Sequence, residues 1–147
     1  MLIARDELCG LIPHDGSMCL LDGVESWDAQ HIVCVSNTHT EQANPLRSEG
    51  SLAAIHGVEY AAQAMAVHGG LLAREEGREN PAGFLAALRD VQLNTERLDE
   101  QPGPLRIEAT ELMRSGGSFM YEFVVSAAGQ TLLSGRVTVM TQQEQGK

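Results

Sequence analysis

The chain has 147 residues, of which 43% are hydrophobic and 20% are charged. These values are typical of one globular domain with a hydrophobic core and exclude a disordered chain. The formal net charge of −10 argues against a nucleic-acid partner, because phosphate binding needs a basic face.

The first half of the chain predicts two strands followed by a long helix. A turn around residues 13–16 is expected to lead into a short strand over residues 18–24. Residues 31–39 alternate weakly and carry β-branched residues, which predicts the next strand. Over residues 51–73, apolar residues recur every three or four positions. This period predicts a helix, with Ser51 as its N-cap and Gly77 near its end.

The second half of the chain predicts an antiparallel meander. Four strands are expected, over residues 84–93, 105–113, 119–127 and 131–140, joined in part by short glycine-containing turns suited to hairpins. The small residues of the helix allow close approach of a neighbouring backbone. The order of these predicted strands and the helix along the chain predicts an α+β fold in which a curved antiparallel sheet wraps one long helix. The polar tail, residues 142–147, is expected to be disordered.

The three cysteines, Cys9, Cys19 and Cys34, are odd in number and have no Cys-x-x-Cys spacing. This pattern argues against a disulfide framework or a zinc site and predicts reduced thiols. The charged residues Arg5 and Asp6 interrupt the N-terminal segment, so we expect no apolar core of a signal peptide there. No apolar run approaches the roughly 18 residues of a membrane span. We therefore expect a cytoplasmic protein without a membrane partner.

One polar grouping in the predicted helix needs explanation. His56, Glu59 and Gln63 are spaced three and four residues apart, so they lie along one line of the helix surface. If a sheet wraps the helix, these side chains point into a groove, where a desolvated carboxylate is suited to general acid catalysis. A solvated helix face is the plainer interpretation. However, residues 51–73 contain no lysine, no arginine and no other carboxylate.

The remaining motifs exclude several kinds of chemistry. There is no Gly-rich phosphate loop, no His-Glu-x-x-His and no Gly-x-Ser-x-Gly, so neither a metal nor a cofactor is expected. His31 and His39 are expected at strand ends in solvent. His68 lies off the polar line of the helix and is expected at a packing contact.

Four segments of the chain resemble the hot-dog-fold 3-hydroxyacyl-[acyl carrier protein] dehydratases, nearest the branch associated with aryl polyene type pathways. They are IPHDGSMCLLDGV, GSLAAIHGVEYAAQAMAVHGG, GFLAALRDVQL and LRIEATELMRSGGSFMYEFVVSAAGQTLLSGRVTVM. The resemblance implies a single hot-dog domain over residues 1–147 that dehydrates a 3-hydroxyacyl thioester on acyl carrier protein, in fatty-acid or polyene type synthesis. It also implies a dimer whose interface holds the acyl chain and whose two subunits share the catalytic residues.

The resemblance assigns roles to residues of the predicted helix. Glu59 takes the position of the carboxylate that protonates the departing hydroxyl, and Gln63 is the glutamine behind it. Backbone N–H groups near the helix N-terminus, for which Gly57 is the candidate, polarise the thioester carbonyl. Gln63, Asn44 and Gly57 are therefore expected to bind the substrate.

The expected catalytic base is missing from its usual place. The family's histidine lies about fourteen residues before the helix carboxylate, where this chain has Pro45. His56 is the nearest replacement, and His39 and Asn44 are weaker candidates.

Two alternatives therefore stay open. One is a hot-dog thioesterase, in which a carboxylate of the same helix activates water. The other is a non-catalytic acyl-binding subunit that pairs with an active homologue, as a heterodimer rather than the homodimer otherwise expected. Carrier proteins are acidic, so the candidates for docking them are the arginines Arg47, Arg74, Arg78, Arg89 and Arg97.

Overall fold

The computed structural model describes residues 2–12, 19–77 and 83–141. In chain order the elements are β1 (Ile3–Ala4), α1 (Arg5–Cys9), β2 (Gly23–Trp27), β3 (His31–Ser36), α2 (Gly57–Glu75), β4 (Gly83–Leu93), β5 (Leu105–Ser115), β6 (Ser118–Ala127) and β7 (Gln130–Thr141). Single turns of 3-10 helix occur at Thr38–Thr40 and Ala54–His56.

The seven strands form one sheet in the order β1-β2-β3-β5-β6-β7-β4, and every neighbouring pair is antiparallel. Helix α2 lies on one face of this sheet, against β3, β5 and β6. The core between them is built from fully buried side chains such as Tyr60, Ile107 and Phe123. This is the hot-dog arrangement, and the α+β class predicted from the sequence is confirmed.

The meander agrees closely with its prediction, because each of its strands begins and ends within two residues of the expected positions. The turn between β6 and β7 contains Ala128 and Gly129, both with positive φ, as a two-residue hairpin loop requires.

The prediction is wrong at the start of the chain. The strand expected over 18–24 begins only at Gly23, and β1 and α1 were not expected. The physical reason is visible at Leu20, whose backbone N–H and C=O bond to side chains rather than to a neighbouring strand.

Helix α2 begins six residues later than predicted, at Gly57 rather than at Ser51. In the intervening stretch, the segment that follows β4 binds the backbone of the residues before the helix, and Ala54–His56 form a turn of 3-10 helix. Asp99 accepts a hydrogen bond from the backbone N–H of Leu52, and Glu96 accepts one from that of Ala54. His56, not Ser51, is the residue before the helix. At the other end, Gly77 has a φ of 68°, which confirms the predicted end of the helix there.

Close approach of the helix to the sheet is confirmed at Gly57. A Cβ atom on Gly57 would lie 2.6 Å from a side-chain carbon of Leu133 in β7. Because Leu133 is fully buried, it has little room to move away. The glycine therefore allows the first turn of α2 to pack directly on this strand.

The prediction of reduced thiols is wrong for two of the three cysteines. Cys9 and Cys19 form a disulfide, with their Cα atoms 5.8 Å apart. The sequence separation alone does not show that the end of α1 packs beside residue 19. Arg5 strengthens this junction by donating a 2.7 Å hydrogen bond to the carbonyl of Cys19. Cys34 remains a free thiol, and burial raises its pKa to about 12.

Within residues 2–12, 19–77 and 83–141, no helix combines the length and the apolar character that crossing a membrane demands.

Candidate functional site

The first two turns of α2 carry a linked pair of polar side chains. Glu59 is half-buried in the first turn, and Gln63, one turn later, is only 1% exposed. Gln63 Nε2 donates to Glu59 Oε2 over 3.3 Å, and Gln63 Oε1 accepts from the backbone N–H of Leu20 over 2.8 Å. Because a backbone N–H can only donate, the amide of Gln63 is fixed with its NH₂ group towards the carboxylate.

Leu20 connects this pair to a buried polar network. Its carbonyl accepts hydrogen bonds from Ser36 Oγ and Thr38 Oγ1. Thr38 Oγ1 in turn lies 2.8 Å from the hydroxyl of Tyr60, and burial raises the pKa of Tyr60. The network holds the segment around Leu20 rigidly against α2, so Gln63 has a firm anchor.

Asn44 belongs to this buried network rather than to an open surface. Its amide nitrogen donates to the carbonyl of Thr38 and to the hydroxyl of Tyr60, both over 2.9 Å, and its Oδ1 accepts from the N–H of Leu46 over 2.8 Å. Only 5% of the residue is exposed. The contacts make Asn44 a structural brace and do not favour the substrate-binding or base role predicted for it.

His56 and Gly57 lie at the start of α2, before Glu59. The side chain of His56 is half-buried, and within the described ranges its ring makes no hydrogen bond. The N–H of Gly57 is already donated to the carbonyls of Ala54 and Ile55. The structure shows Gly57 in a packing role against Leu133, and its binding of a thioester carbonyl stays a prediction. The structure places His56 one helical turn before Glu59, without joining the two by a hydrogen bond.

His39, expected in solvent, is fully buried. Its Nε2 lies 3.2 Å from the carbonyl of Gln101, while Nδ1 is buried without a partner among the described residues. Burial lowers the pKa of His39. The prediction failed because the 3-10 turn after β3 folds inward, beneath the segment around Gln101. A ring enclosed in this way is poorly placed to act as the base.

His68 forms a closed contact in the core, as expected. Its Nε2–H donates to the carbonyl of Asp28 over 2.8 Å, which leaves Nδ1 to accept from the hydroxyl of Tyr121 over 2.7 Å. Burial lowers the pKa of His68. The ring is neutral, and both nitrogens have a partner. His31, by contrast, is half-buried and lies 3.3 Å from Glu108.

An apolar surface next to the start of α2 was not predicted from the sequence. Leu85, Leu88 and Leu93 of β4 are 40%, 42% and 49% exposed. They pair with Val139, Val137 and Leu133 of β7, so they face the helix side of the sheet. Helix α2 lies on β3, β5 and β6, which leaves these leucines, here named the uncovered strip, open to solvent. The only signal in the sequence was the apolar character of residues 83–93.

The five arginines predicted to dock a carrier differ in their surroundings. Arg47 bonds to backbone carbonyls, Arg74 to Glu7, and Arg97 to Asp99 and Glu100. Arg78 lies outside the described residues. Arg89, on β4, forms no ion pair among the described residues.

The described residues show no cluster of metal ligands, and the one groove described here lies away from the candidate site. No group of three metal-ligating side chains occurs in the described parts of the chain. A groove of about 590 Å³ lies on the outer face of the sheet, lined by residues such as Pro104, Arg106 and Val124. It is far from the face on which α2 lies and contains none of the predicted site residues.

Comparison with known proteins gives one family. The family model described as ApeP dehydratase matches residues 7–147. No match is found among curated proteins.

Three solved structures illustrate the fold. A chain of the dehydratase heterocomplex ApeI:P from Xenorhabdus doucetiae is 23% identical, with a TM-score of 0.84, covering 93% of this chain and 91% of that one. AziG from S. sahachiroi is 17% identical, with a TM-score of 0.55, over 82% and 90%. A homologue of HP0420 from Helicobacter felis is 12% identical, with a TM-score of 0.62, over 90% and 84%. At these identities the likeness concerns the fold.

Proposed function

Because this chain belongs to the ApeP-like family of dehydratases, we propose that it helps to dehydrate a 3-hydroxyacyl thioester carried on acyl carrier protein. In this reaction a base removes the α-proton, the C–O bond at the β-carbon breaks, and an acid protonates the departing hydroxyl. The products are a 2-enoyl thioester and water. The observation that carries the proposal is the half-buried Glu59, oriented by Gln63 at the start of α2. The pathway proposed for this activity is aryl polyene or fatty-acid synthesis.

Glu59 is the proposed acid. It is the only carboxylate of the helix before Glu75, and it lies where the helix reaches the protein surface. Gln63, being almost fully buried, acts through Glu59 and is a positioning residue rather than a substrate ligand. A carboxylate held in one orientation can deliver its proton without first searching for the correct geometry.

His56 is the proposed base on this chain. It is the candidate histidine that is partly exposed and within one turn of Glu59, whereas His39 and His68 are buried. A base supplied by a second subunit is the alternative, because the family's loop histidine is replaced by Pro45 here.

The proposed site is completed by a second hot-dog subunit. The uncovered strip lies on an edge strand beside the start of α2, and long apolar edge strands are normally covered by a partner. The similar structure from X. doucetiae is described as a heterocomplex, which supports a homologous but non-identical partner. The acyl chain would then run between the two subunits.

A second candidate function is a non-catalytic, acyl-binding subunit of such a complex. The specific observation in its favour is Pro45 at the position of the family's histidine. In that case the partner performs both proton transfers, and neither His56 nor Glu59 is needed.

The decisive experiment compares Glu59→Gln with Glu75→Gln, an exposed carboxylate near the other end of the same helix. Each variant is assayed with a 3-hydroxyacyl carrier-protein thioester, alone and with the co-purified homologous subunit. Glu59→Gln is expected to lower formation of the 2-enoyl thioester by about 100-fold or more, and Glu75→Gln to leave it unchanged.

The other outcomes separate the alternatives. Unchanged activity of Glu59→Gln and His56→Ala in the complex would favour the non-catalytic subunit. Release of free thiol without an enoyl product would identify a thioesterase.

A further inference from the structure

Two arginines face each other near the open edge of the sheet. Arg89 of β4 pairs directly with Arg136 of β7, and both are exposed. Their neighbours in the chain show that they lie on the outer face, because Gly135 and Val137 on either side of Arg136 are buried against the core. Like charges directly opposite each other in a sheet are unfavourable.

This pair is unusual for an acidic chain. The other arginines within the described ranges all bond to a carboxylate or to a backbone carbonyl: Arg5, Arg47, Arg74, Arg97, Arg106 and Arg114. Arg89 and Arg136 form no ion pair with a described residue, although the formal charge is −10.

The register shows where a counter-charge is lacking. Glu122 of β6 pairs directly with Arg136 on the side away from the edge, so Arg136 has an acid as its cross-strand neighbour. Arg89 has Arg136 on one side, and on the other side it faces the free edge of β4. From β6 towards the edge of the sheet, this cross-strand row contains Glu122, Arg136 and Arg89. The next position in the row would belong to a partner strand that pairs with β4.

A second copy of this chain would not place a carboxylate opposite Arg89 if its β4 paired with this one. The only acid between Gly83 and Leu93 is Asp90. Asp90 has a φ of 55° and lies in the irregular stretch between Arg89 and Gln92, where the ladder with β7 is interrupted. In regular antiparallel self-pairing, Arg89 would therefore meet an uncharged residue or another Arg89.

From this row we infer that Arg89, backed by Arg136, selects a non-identical hot-dog subunit whose edge strand presents a carboxylate opposite Arg89. The uncovered strip on the inner face binds the partner, and the arginines on the outer face disfavour self-pairing. Specificity of this kind combines an attractive contact with the right partner and an unsatisfied charge with the wrong one. The inference rests on the second subunit of the proposed function.

The experiment uses the chain itself as the probe for the partner. Copies carrying Ala87→Glu, Arg89→Glu or Gln92→Glu place an acid at one of three positions of β4 that pair with outward-facing residues of β7. Each copy, labelled by mass, is mixed with the wild-type chain, and the dissociation constants of mixed and self dimers are measured by native mass spectrometry and sedimentation. At least one copy is expected to bind wild type about two- to fivefold more tightly than wild type binds itself. The gain is expected to shrink at high salt.

Two control variants keep the test decisive. Arg89→Ala in the unlabelled chain is expected to remove the gain, whereas Arg114→Ala, an arginine bonded to Glu111 within its own strand, should leave it intact. If no copy shows a gain, or if Arg89→Ala leaves it intact, the inference is overturned. The same holds if Arg89→Ala weakens binding of acyl carrier protein without changing association between subunits.

A third variant separates failure of this inference from failure of the proposed function. Leu88→Asp on the uncovered strip is expected to abolish association of any pair. If it does so while the acid scan has no effect, the partner surface stands and the selection by Arg89 is wrong. If Leu88→Asp has no effect, the partner surface itself is wrong and the inference falls with it. Neither measurement depends on enzymatic activity.

Discussion

Helix α2 carries two sets of buried polar contacts, one around Gln63 near its start and one around His68 further along. They differ in whether they include a side chain that is partly exposed to solvent. The His68 ring has one partner for each nitrogen, Tyr121 and Asp28, and nothing in the contact reaches the surface. The Gln63 amide oxygen accepts a hydrogen bond from the buried N–H of Leu20, and its NH₂ group donates to the half-buried carboxylate of Glu59. A ring enclosed by its partners indicates a structural role, whereas a buried network that ends on a half-buried carboxylate is compatible with a functional one.

The largest expected effect is on activity, at Gln63. Gln63→Met keeps the size of the side chain but removes the hydrogen bond that orients Glu59, so turnover of the thioester is expected to fall by about 100-fold. It also leaves the N–H of Leu20 buried without a partner, which should lower the free energy of unfolding by about 1–3 kcal/mol. Steady-state kinetics and urea unfolding measure the two effects. Gln130→Met, at the exposed first residue of β7, is the control, and equal activity of both variants would contradict the positioning role.

The next effect is on stability alone, at His68. His68→Phe removes both hydrogen bonds and leaves the Tyr121 hydroxyl and the Asp28 carbonyl without this partner, so we expect a loss of about 1–3 kcal/mol in the free energy of unfolding. Activity per folded molecule should stay near that of the wild type. His31→Phe, at a half-buried position, should cost less. A large fall in kcat with unchanged stability would instead give His68 a catalytic role and remove the contrast between the two networks.

The smallest effect is on the pH dependence of stability. Burial lowers the pKa of both His39 and His68 below the ordinary value of 6.5, so below pH 6.5 the unfolded chain binds protons that the folded chain does not. Stability is therefore complete above about pH 6.5 and is lost as pH falls below it, by at most about 1.4 kcal/mol per pH unit for each histidine. The loss levels off once the folded-state pKa is passed.

Urea unfolding at a series of pH values measures this slope. His68→Phe should make it shallower. A slope that is the same in the wild type and in His68→Phe would show that His68 does not contribute.

The sequence predicted some strands and the helix well because these elements depend on residues that are close together in the chain. The meander strands were found from short-range alternation and from glycine-containing turns, and the helix from its apolar period. Its first residue was wrong because Leu52 and Ala54, just after the predicted N-cap Ser51, donate their backbone N–H groups to Asp99 and Glu96, which come more than forty residues later. The disulfide between Cys9 and Cys19 was missed for the same reason, since only the packing of α1 brings the two residues together.

The candidate site was predicted in part. Glu59 and Gln63 were selected by their spacing on the helix, and their roles stay predictions. The partners of Gln63 and Asn44 were not predictable, because each depends on contacts between segments that are distant in the chain. His39 was expected in solvent for its polarity, yet the fold encloses it.

By itself, the sequence determined the α+β class, the order of the main strands around one long helix, and the line of Glu59 and Gln63 on that helix. These follow from periodicity, because the spacing of side chains is a property of the local backbone. Only the tertiary structure decided that Gln63 is anchored by Leu20, 43 residues away, that two of the histidines are sealed inside, and that β4 has an uncovered strip. Burial, long-range hydrogen bonds and a free sheet edge are relations between elements, and no local pattern encodes them.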